Sequence, residues 1–459
     1  MLPKAVTGYL EAYREEHVAK LKELLRFPSV ANSRAQDCRR CAEWLAGHLE
    51  ALGLTARMVE GGGPPNVLAE ARIDDDAPTL LAYGHYDVQP PEPLEQWLTD
   101  PFEPVVADGY LYARGADDDK GQLFAHLMAI EAWQRAGGGL PVNLKVFLEG
   151  EEEIGSPHLE PFLSARTEEL SADAAVISDS EFFADGTPSI TYSLRGLAYV
   201  ELTLRGPSAD IHSGSHGGAV TNPINALTKL VGAMHDAGGR VTIDGFYDDV
   251  ADLSDEERGE WAALPFDESA YAASVGVDVL GGGESGFGVL ERRWGRPTLD
   301  CNGIVGGYGG EGSKTIIPAA ATAKISMRLV PDQRPERIVA GFKRFVADHT
   351  PAGTVAEVKV HAEARPVMLA RQSPAMDAGR AAFEEAFGRR PAMIRCGASV
   401  PVTELIQRLL GLDAVLMGFG LPDDNLHSPN ERFRLDHLYR GAVASAAFMN
   451  NLRAMARRQ

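Results

Sequence analysis

The chain has little of what would tie it to an oxidising compartment, a membrane or a polyanion. Its four cysteines are spread over 459 residues, which is no disulfide framework. No uninterrupted apolar run is long enough to cross a bilayer. The opening stretch, MLPKAVTGYLEAYREEHVAKLKELLRF, lacks the basic, apolar, small-residue order of a secretory signal. Positive charge is in deficit, with 44 Lys and Arg against 65 Asp and Glu and a formal net charge of −21. That balance argues against a nucleic-acid partner and suits solubility and, locally, cations. There is no internal repeat and no low-complexity segment. The expectation is a soluble protein of the cytoplasm, with no membrane partner and 44% hydrophobic residues for a substantial core. Cys38 and Cys41 form a lone CxxC inside DCRRCAEWLAGHLEALG, which reads as an amphipathic helix. With no second Cys/His pair nearby, a helix face is the better reading than a metal or redox site.

Periodicity divides the chain. Two helices joined by RFPSVANS fill the first 60 residues. Short apolar runs at NVLAEARI, TLLAYGHYDV, VNLKVFLE and AAVISD, bounded by Gly, Pro and Asp, predict strands. Helical patterns at GQLFAHLMAIEAWQRAG and around SPHLEPFLSAR alternate with them, which predicts an α/β layer with a largely parallel sheet. Near Ser193 the style changes. AYVELTLRG, ATAKISMRLVP and VAEVKVHAE alternate apolar and polar, as half-solvated strands do, with helices between them and a long insert at about 240–310. After Pro366 the α/β style resumes and ends in a helix from about Leu435. The predicted domains are therefore 1–193 and 367–459, forming one discontinuous α/β unit, and an inserted α+β unit at 194–366.

Five turns, each after a predicted strand, carry acids or histidine. His85 and Asp87 in YGHYDV lie two apart at a strand end, so both side chains can face one way. A His there can ligate a metal while an Asp holds its second ring nitrogen. Asp117, Asp118 and Asp119 in YARGADDDKGQ precede a helix. One Asp would serve as an N-cap; three are an excess, more easily explained if one carboxylate bridges two cations. VFLEGEEEIGS crowds Glu149, Glu151, Glu152 and Glu153 together, which is costly for like charges unless a cation sits among them. Asp179 follows a strand in VISDSEF, and His427 lies in DDNLHSPNERF after AVLMGFG. Each turn alone also reads as an ordinary loop or cap. Together they stand at the carboxyl edge of one sheet, where α/β folds build sites. Two His and several carboxylates without Cys favour Zn, Mn or Co over a thiolate zinc site. The number of carboxylates suits a pair of ions, about 3.5–4 Å apart in co-catalytic sites.

Eight motifs stand in order along the chain: YGHYDVQP, ARGADDDKGQ, EGEEEIGS, ISDSEF, IHSG, GEGSKTIIP, SMRLVP and HSPNE. In them the sequence resembles the two-zinc metallopeptidases that include carnosinase, cytosolic dipeptidase, glutamate carboxypeptidase, aminoacylase and succinyl-diaminopimelate desuccinylase. The resemblance covers essentially the whole chain and is strongest to the carnosinase-like branch. It implies a mixed, largely parallel sheet flanked by helices, with the inserted unit as lid and dimerisation domain. It implies two divalent ions, zinc first with manganese or cobalt as alternatives. His85 would ligate one ion and His427 the other, Asp118 would bridge both, and Glu153 and Asp179 would complete the two spheres. Asp87 would orient His85, and Glu152 would be the general base on a water shared by the ions.

The same resemblance implies that His212 reaches a neighbouring subunit's active site and steadies the oxyanion. Thr315, Arg328 and Ser399 would hold the substrate's C-terminal carboxylate. The implied activity is metal-dependent hydrolysis of dipeptides or short peptides with a free C-terminal carboxylate, by a homodimer. An N-acyl-amino-acid deacylase or desuccinylase on the same dinuclear site is the alternative. Four positions stand apart. Asp117 is where relatives often carry Ser or Thr, and Cys396 is where close relatives tend to carry an acid. Glu149 and Glu151 receive no role and read as solvated or supporting residues.

Overall fold

A computed structural model describes residues 1–397 and 400–456, which divide into two compact units. The first comprises Met1–Tyr192, Leu369–Ile394 and Pro401–Gln459; the second comprises Ser193–Met368 and Arg395–Val400. Arg395–Gly397, placed by the sequence pattern with the α/β unit, cluster with the insert in this division. Arg195 Nε donates to the Gly397 carbonyl at 3.3 Å, and the Arg395 guanidinium pairs with Glu257, all within the second unit.

The first unit is built on a mixed sheet. Seven of the nine strands of that sheet are β1 (Thr55–Val59), β2 (Asn66–Ala71), β3 (Thr79–His85), β4 (Asn143–Glu149), β5 (Ala174–Ile177), β6 (Ser189–Leu194) and β7 (Ala414–Leu416). They lie in the order β1-β2-β4-β3-β5-β7-β6. Pairing is parallel in the centre, between β4, β3, β5 and β7, and antiparallel toward both edges. The parallel strands are buried on both faces, which is why β3 and β5 read as continuous apolar runs rather than alternating ones. Lys120–Ala136 is buried along nearly its whole length and packs on β3 and on the C-terminal helix Leu435–Ala456. A helix apolar all round belongs in a core. His126, midway along it, satisfies both ring nitrogens with the hydroxyls of Ser445 and Ser178, at 2.7 and 2.8 Å. The first 60 residues hold three helices rather than two, Lys4–Ala12, Arg14–Leu25 and Ala35–Ala51, because the first pattern is interrupted at Tyr13.

The second unit is a four-stranded antiparallel sheet in the order Thr298–Gly306, Ala320–Leu329, Gly196–Arg205, Val355–Ala364. Gly196–Arg205 alternates buried and half-buried positions along its length. The buried side meets helices Pro223–Gly232 and Pro335–His349 in one core that includes Val200, Leu202, Leu227, Ile325 and Phe342. Thr298–Gly306 is an edge strand that periodicity did not reveal. Its burial pattern does not alternate and its register shifts between Cys301 and Gly303, so no period-2 signal survives.

Candidate metal centre

Five chain segments deliver side chains to one place in the first unit. β3 ends at His85, and β4 runs beside it into the turn Glu152–Ile154. Asp118 stands just before helix Lys120–Ala136, Asp179 just after β5, and His427 in the loop between β7 and the strand Arg432–Arg434. His85 Nε2 lies 3.1 Å from Asp118 Oδ1 and 3.8 Å from Asp179 Oδ2. His427 Nε2 lies 2.9 Å from Asp118 Oδ2 and 3.2 Å from Glu153 Oε2. Two triads result, His85/Asp118/Asp179 and Asp118/Glu153/His427, and the ligand atoms within each lie within 4.8 Å of one another. Asp118 is common to both, one oxygen to each imidazole.

The surroundings hold this arrangement from behind. Asp119 occupies the N-cap position of its helix without capping it; its Oδ2 instead accepts the His85 N–H at 3.0 Å. The bland reading of the aspartate run as a cap therefore fails. Asp87 is fully buried and its carboxylate accepts the backbone N–H groups of Glu152 at 3.1 Å and Glu153 at 3.0 Å. The expected contact with His85 is made differently: Nδ1 donates to the Asp87 carbonyl at 3.2 Å, with the carboxylate 3.5 Å away. One residue thus fixes both the imidazole and the Glu152–Glu153 turn. Gln89 was not picked out from its motif, YGHYDVQP, yet its Nε2 donates to Glu153 Oε2 at 2.8 Å.

Electrostatics describe a site short of positive charge. Burial opposes charge on His85, but Asp118, Asp179 and Asp87 outweigh it and hold the imidazole pKa well above its ordinary value. Hydrogen bonding to Asp118 and Glu153 raises His427 to about 10. Asp118 is pushed up by burial and pulled below its usual value by the two imidazoles. Burial, reinforced by Asp179, Asp118 and Glu153, drives Glu152 well above the carboxylate range. The residues fit a metal pair. His85 donates through Nδ1 to a carbonyl, which can only accept. Nε2 is then left facing the carboxylate oxygens of Asp118 and Asp179, where a bound cation would replace the proton those acids favour. Nitrogen and oxygen donors of this kind, crowded together with one imidazole buried and the other open to solvent, are what a divalent cation coordinates.

Residues 81–451 match the peptidase family M20/M25/M40. The chain belongs to that family. It is 34% identical over 403 residues to the Cys-Gly metallodipeptidase dug1 of Schizosaccharomyces pombe, covering 85% of this chain and 83% of that protein. It is 31% identical over 468 residues to the human Beta-Ala-His dipeptidase, covering 97% and 92%. The crystal structure of human carnosine dipeptidase 1 superposes with a TM-score of 0.84 at 30% identity, over 99% of this chain and 100% of that one. The carnosinase-like branch of the M20 peptidases read from the motifs is therefore the right one.

The remaining site residues expected of an M20 peptidase fall in the second unit or outside the described residues. His212 is exposed, and its Nδ1 accepts the N–H groups of Gly214 at 3.0 Å and Ser215 at 3.3 Å. Thr315 is exposed, and its carbonyl accepts the Ser213 N–H at 3.0 Å. Arg328 is half-buried on Ala320–Leu329; after burial itself, it is the main influence lowering Arg195 to about 10. Ser399 lies outside the described residues. For two glutamates the structure decides between the two readings left open, because neither is solvated and both support neighbouring groups. Glu149 is fully buried and accepts the Tyr83 hydroxyl at 2.7 Å, and Glu151 is buried against His158. Asp117 is fully buried with no partner for either oxygen, and burial followed by Asp424, Glu431 and Glu181 raises it far above its usual pKa. Cys38 and Cys41 are free and buried in their helix.

Proposed function

We infer that this M20 peptidase hydrolyses the amide bond of dipeptides or short peptides with a free C-terminal carboxylate, at a two-metal centre in its first unit. The observation that carries the reading is the sharing of Asp118 between two ligand triads. His85 and Asp179 would hold one ion and His427 and Glu153 the other, with Asp118 bridging. Zinc is the first candidate for both, with manganese or cobalt as alternatives. When bound, such a pair lowers the pKa of a water toward neutrality and polarises the scissile carbonyl. Glu152 would take the attacking water's proton and return it to the leaving amine. The relatives compared above are dipeptidases by name, so the deacylase reading is not favoured.

His212 would donate to the oxyanion in a partner subunit. Its Nδ1 accepts two backbone N–H groups, which leaves the proton on Nε2, the tautomer that role requires. Thr315, Arg328 and Ser399 would receive the substrate carboxylate, Arg328 through a charge-assisted fork. Homodimerisation through the second unit is supported by the edge strand Thr298–Gly306, which exposes Val305 to 74% and Ile304 to 48%. Bare apolar edges are templates for pairing. No helix among the described residues is long and apolar enough to cross a membrane. The absence of a disulfide among the four cysteines supports residence in the reducing cytoplasm.

The deciding experiment compares turnover of a dipeptide and its N-acetyl form by the zinc-loaded and the chelated enzyme. Cleavage of the free dipeptide, abolished by chelation and restored by zinc, is expected. Cleavage of the acetylated form alone would replace the dipeptidase reading by the deacylase one. Light scattering is expected to show a dimer, and a fully active monomer would remove the role given to His212.

A further inference from the structure

Glu431 closes the HSPNE motif four residues after His427, and it is fully buried. Its Oε2 accepts Arg114 Nη1 at 2.8 Å and the Gly115 N–H at 2.9 Å. Its Oε1 accepts the N–H groups of Asp117 at 2.9 Å and Asp118 at 3.1 Å. Its carbonyl accepts the Ala113 N–H at 3.1 Å. Every one of these bonds goes to the turn that presents Asp118. Just beyond, Arg432–Arg434 pairs antiparallel with Tyr110–Tyr112, the strand leading into that turn.

We propose that Glu431 is a positioning residue for one of the two ions, the one assigned to Asp118, Glu153 and His427. The inference rests on the dinuclear reading above. Asp118 and His427 hang on segments far apart in the chain, and this carboxylate sets their spacing. A buried anion beside Asp117 and Asp118 is costly, and Arg114 and three backbone N–H groups offset that cost. Those N–H groups would otherwise be buried without acceptors. The other triad depends less on this clamp. His85 and Asp179 come from the ends of β3 and β5, adjacent parallel strands tied by their own ladder. A residue that merely stabilised the fold would not distinguish the two ions. One that holds the turn to the His427 loop should weaken the His427 ion first.

The test measures metal content and zinc affinity on the full-length protein, by elemental analysis after dialysis and by competition with a chromogenic chelator. Wild type is compared with Glu431→Gln and Glu431→Asp, and with Phe342→Ala, a core variant of the second unit that controls for lost stability. Wild type should hold two ions. Glu431→Gln should keep one ion tightly and bind the second about 10–100-fold more weakly. Excess zinc should restore kcat with KM unchanged, and Phe342→Ala should keep both ions. Two ions at wild-type affinity in Glu431→Gln, or equal weakening of both, overturns the proposal. If that variant does not fold, Glu431→Asp decides by the same criterion, since it keeps the charge but ends one methylene short. A wild type without tight metal overturns the dinuclear reading instead, and this inference with it.

Discussion

His427 Nε2 lies 2.9 Å from Asp118 Oδ2, although 309 residues separate the two in the chain. Asp118 Oδ1 is at the same time 3.1 Å from His85 Nε2. A carboxylate shared in this way ties both triads to one side chain, so its loss should be felt at both ions. Asp118→Ala is expected to retain no tight metal, whereas His427→Ala should retain one ion. Elemental analysis of the dialysed variants checks this; two ions in Asp118→Ala would remove it from the bridging role.

Glu152 is held by its backbone N–H to the Asp87 carboxylate, beside the ligand Glu153. Glu152→Gln keeps shape and loses the base. It should bind both ions at wild-type affinity while kcat falls by about 10²–10⁴-fold, the usual worth of general acid–base catalysis. Steady-state kinetics on the zinc-loaded variant decide the matter, and a kcat within threefold of wild type would leave the water without its base.

Asp87 holds two backbone N–H groups of the Glu152–Glu153 turn while its carbonyl holds His85. Asp87→Ala keeps the carbonyl and strands both N–H groups, at a cost of about 1–3 kcal/mol each where they stay buried. Asp87→Asn keeps one acceptor oxygen and should fall between. The expected pattern is a kcat lower by about 10–100-fold with a smaller change in KM. A melting temperature and kcat equal to wild type in Asp87→Ala would contradict it.

Glu131 supplies a pH dependence far from the metal centre. Burial would raise its carboxyl, but His17, 3.5 Å away, and Lys20, 3.1 Å away, outweigh it and hold the pKa at about 2. A carboxyl depressed in the folded state contributes stability that is complete above its unfolded pKa, about 4.3. That contribution is lost as pH falls through the folded value near 2. Glu131→Gln should therefore cost about 2 kcal/mol at pH 7 and progressively less below about pH 4. Denaturant melts at pH 7 and pH 3 provide the comparison; an equal loss at both would show that the ion pairing contributes nothing.

Much of this molecule can be read along the chain, for reasons that differ by element. β3, β4 and β5 are short apolar runs because parallel strands are covered on both faces. His85, Glu153 and Asp179 stand out because each closes a strand or its turn with a group that is expensive to bury alone, and His427 because it heads the HSPNE motif. Thr298–Gly306 stayed hidden because its bulge breaks the alternation that periodicity detects. Glu149 and Glu151 stay undecided between solvated and supporting roles along the chain, because an acid beside other acids gives no local sign of burial. Tyr83 and His158, the residues that bond to them, belong to other parts of the pattern. Gln89 and Glu431 sit inside recognised motifs, but a motif does not say which donor meets which acceptor.

The sequence by itself determined the family, the alternation of elements and the residues able to hold two cations. These follow from local periodicity and from residue type, which are properties of short stretches. Only the tertiary structure decided that Asp118 faces two imidazoles, that Asp119 leaves its helix uncapped to hold His85, and that Glu431 reaches back to the Asp118 turn. Each of these is a choice of hydrogen-bond partner between segments distant in the chain. Burial makes an unpaired polar group costly, so these groups take the partners that the packed fold brings within about 3 Å. Which partner that is depends on how the elements stack, and no local pattern carries it.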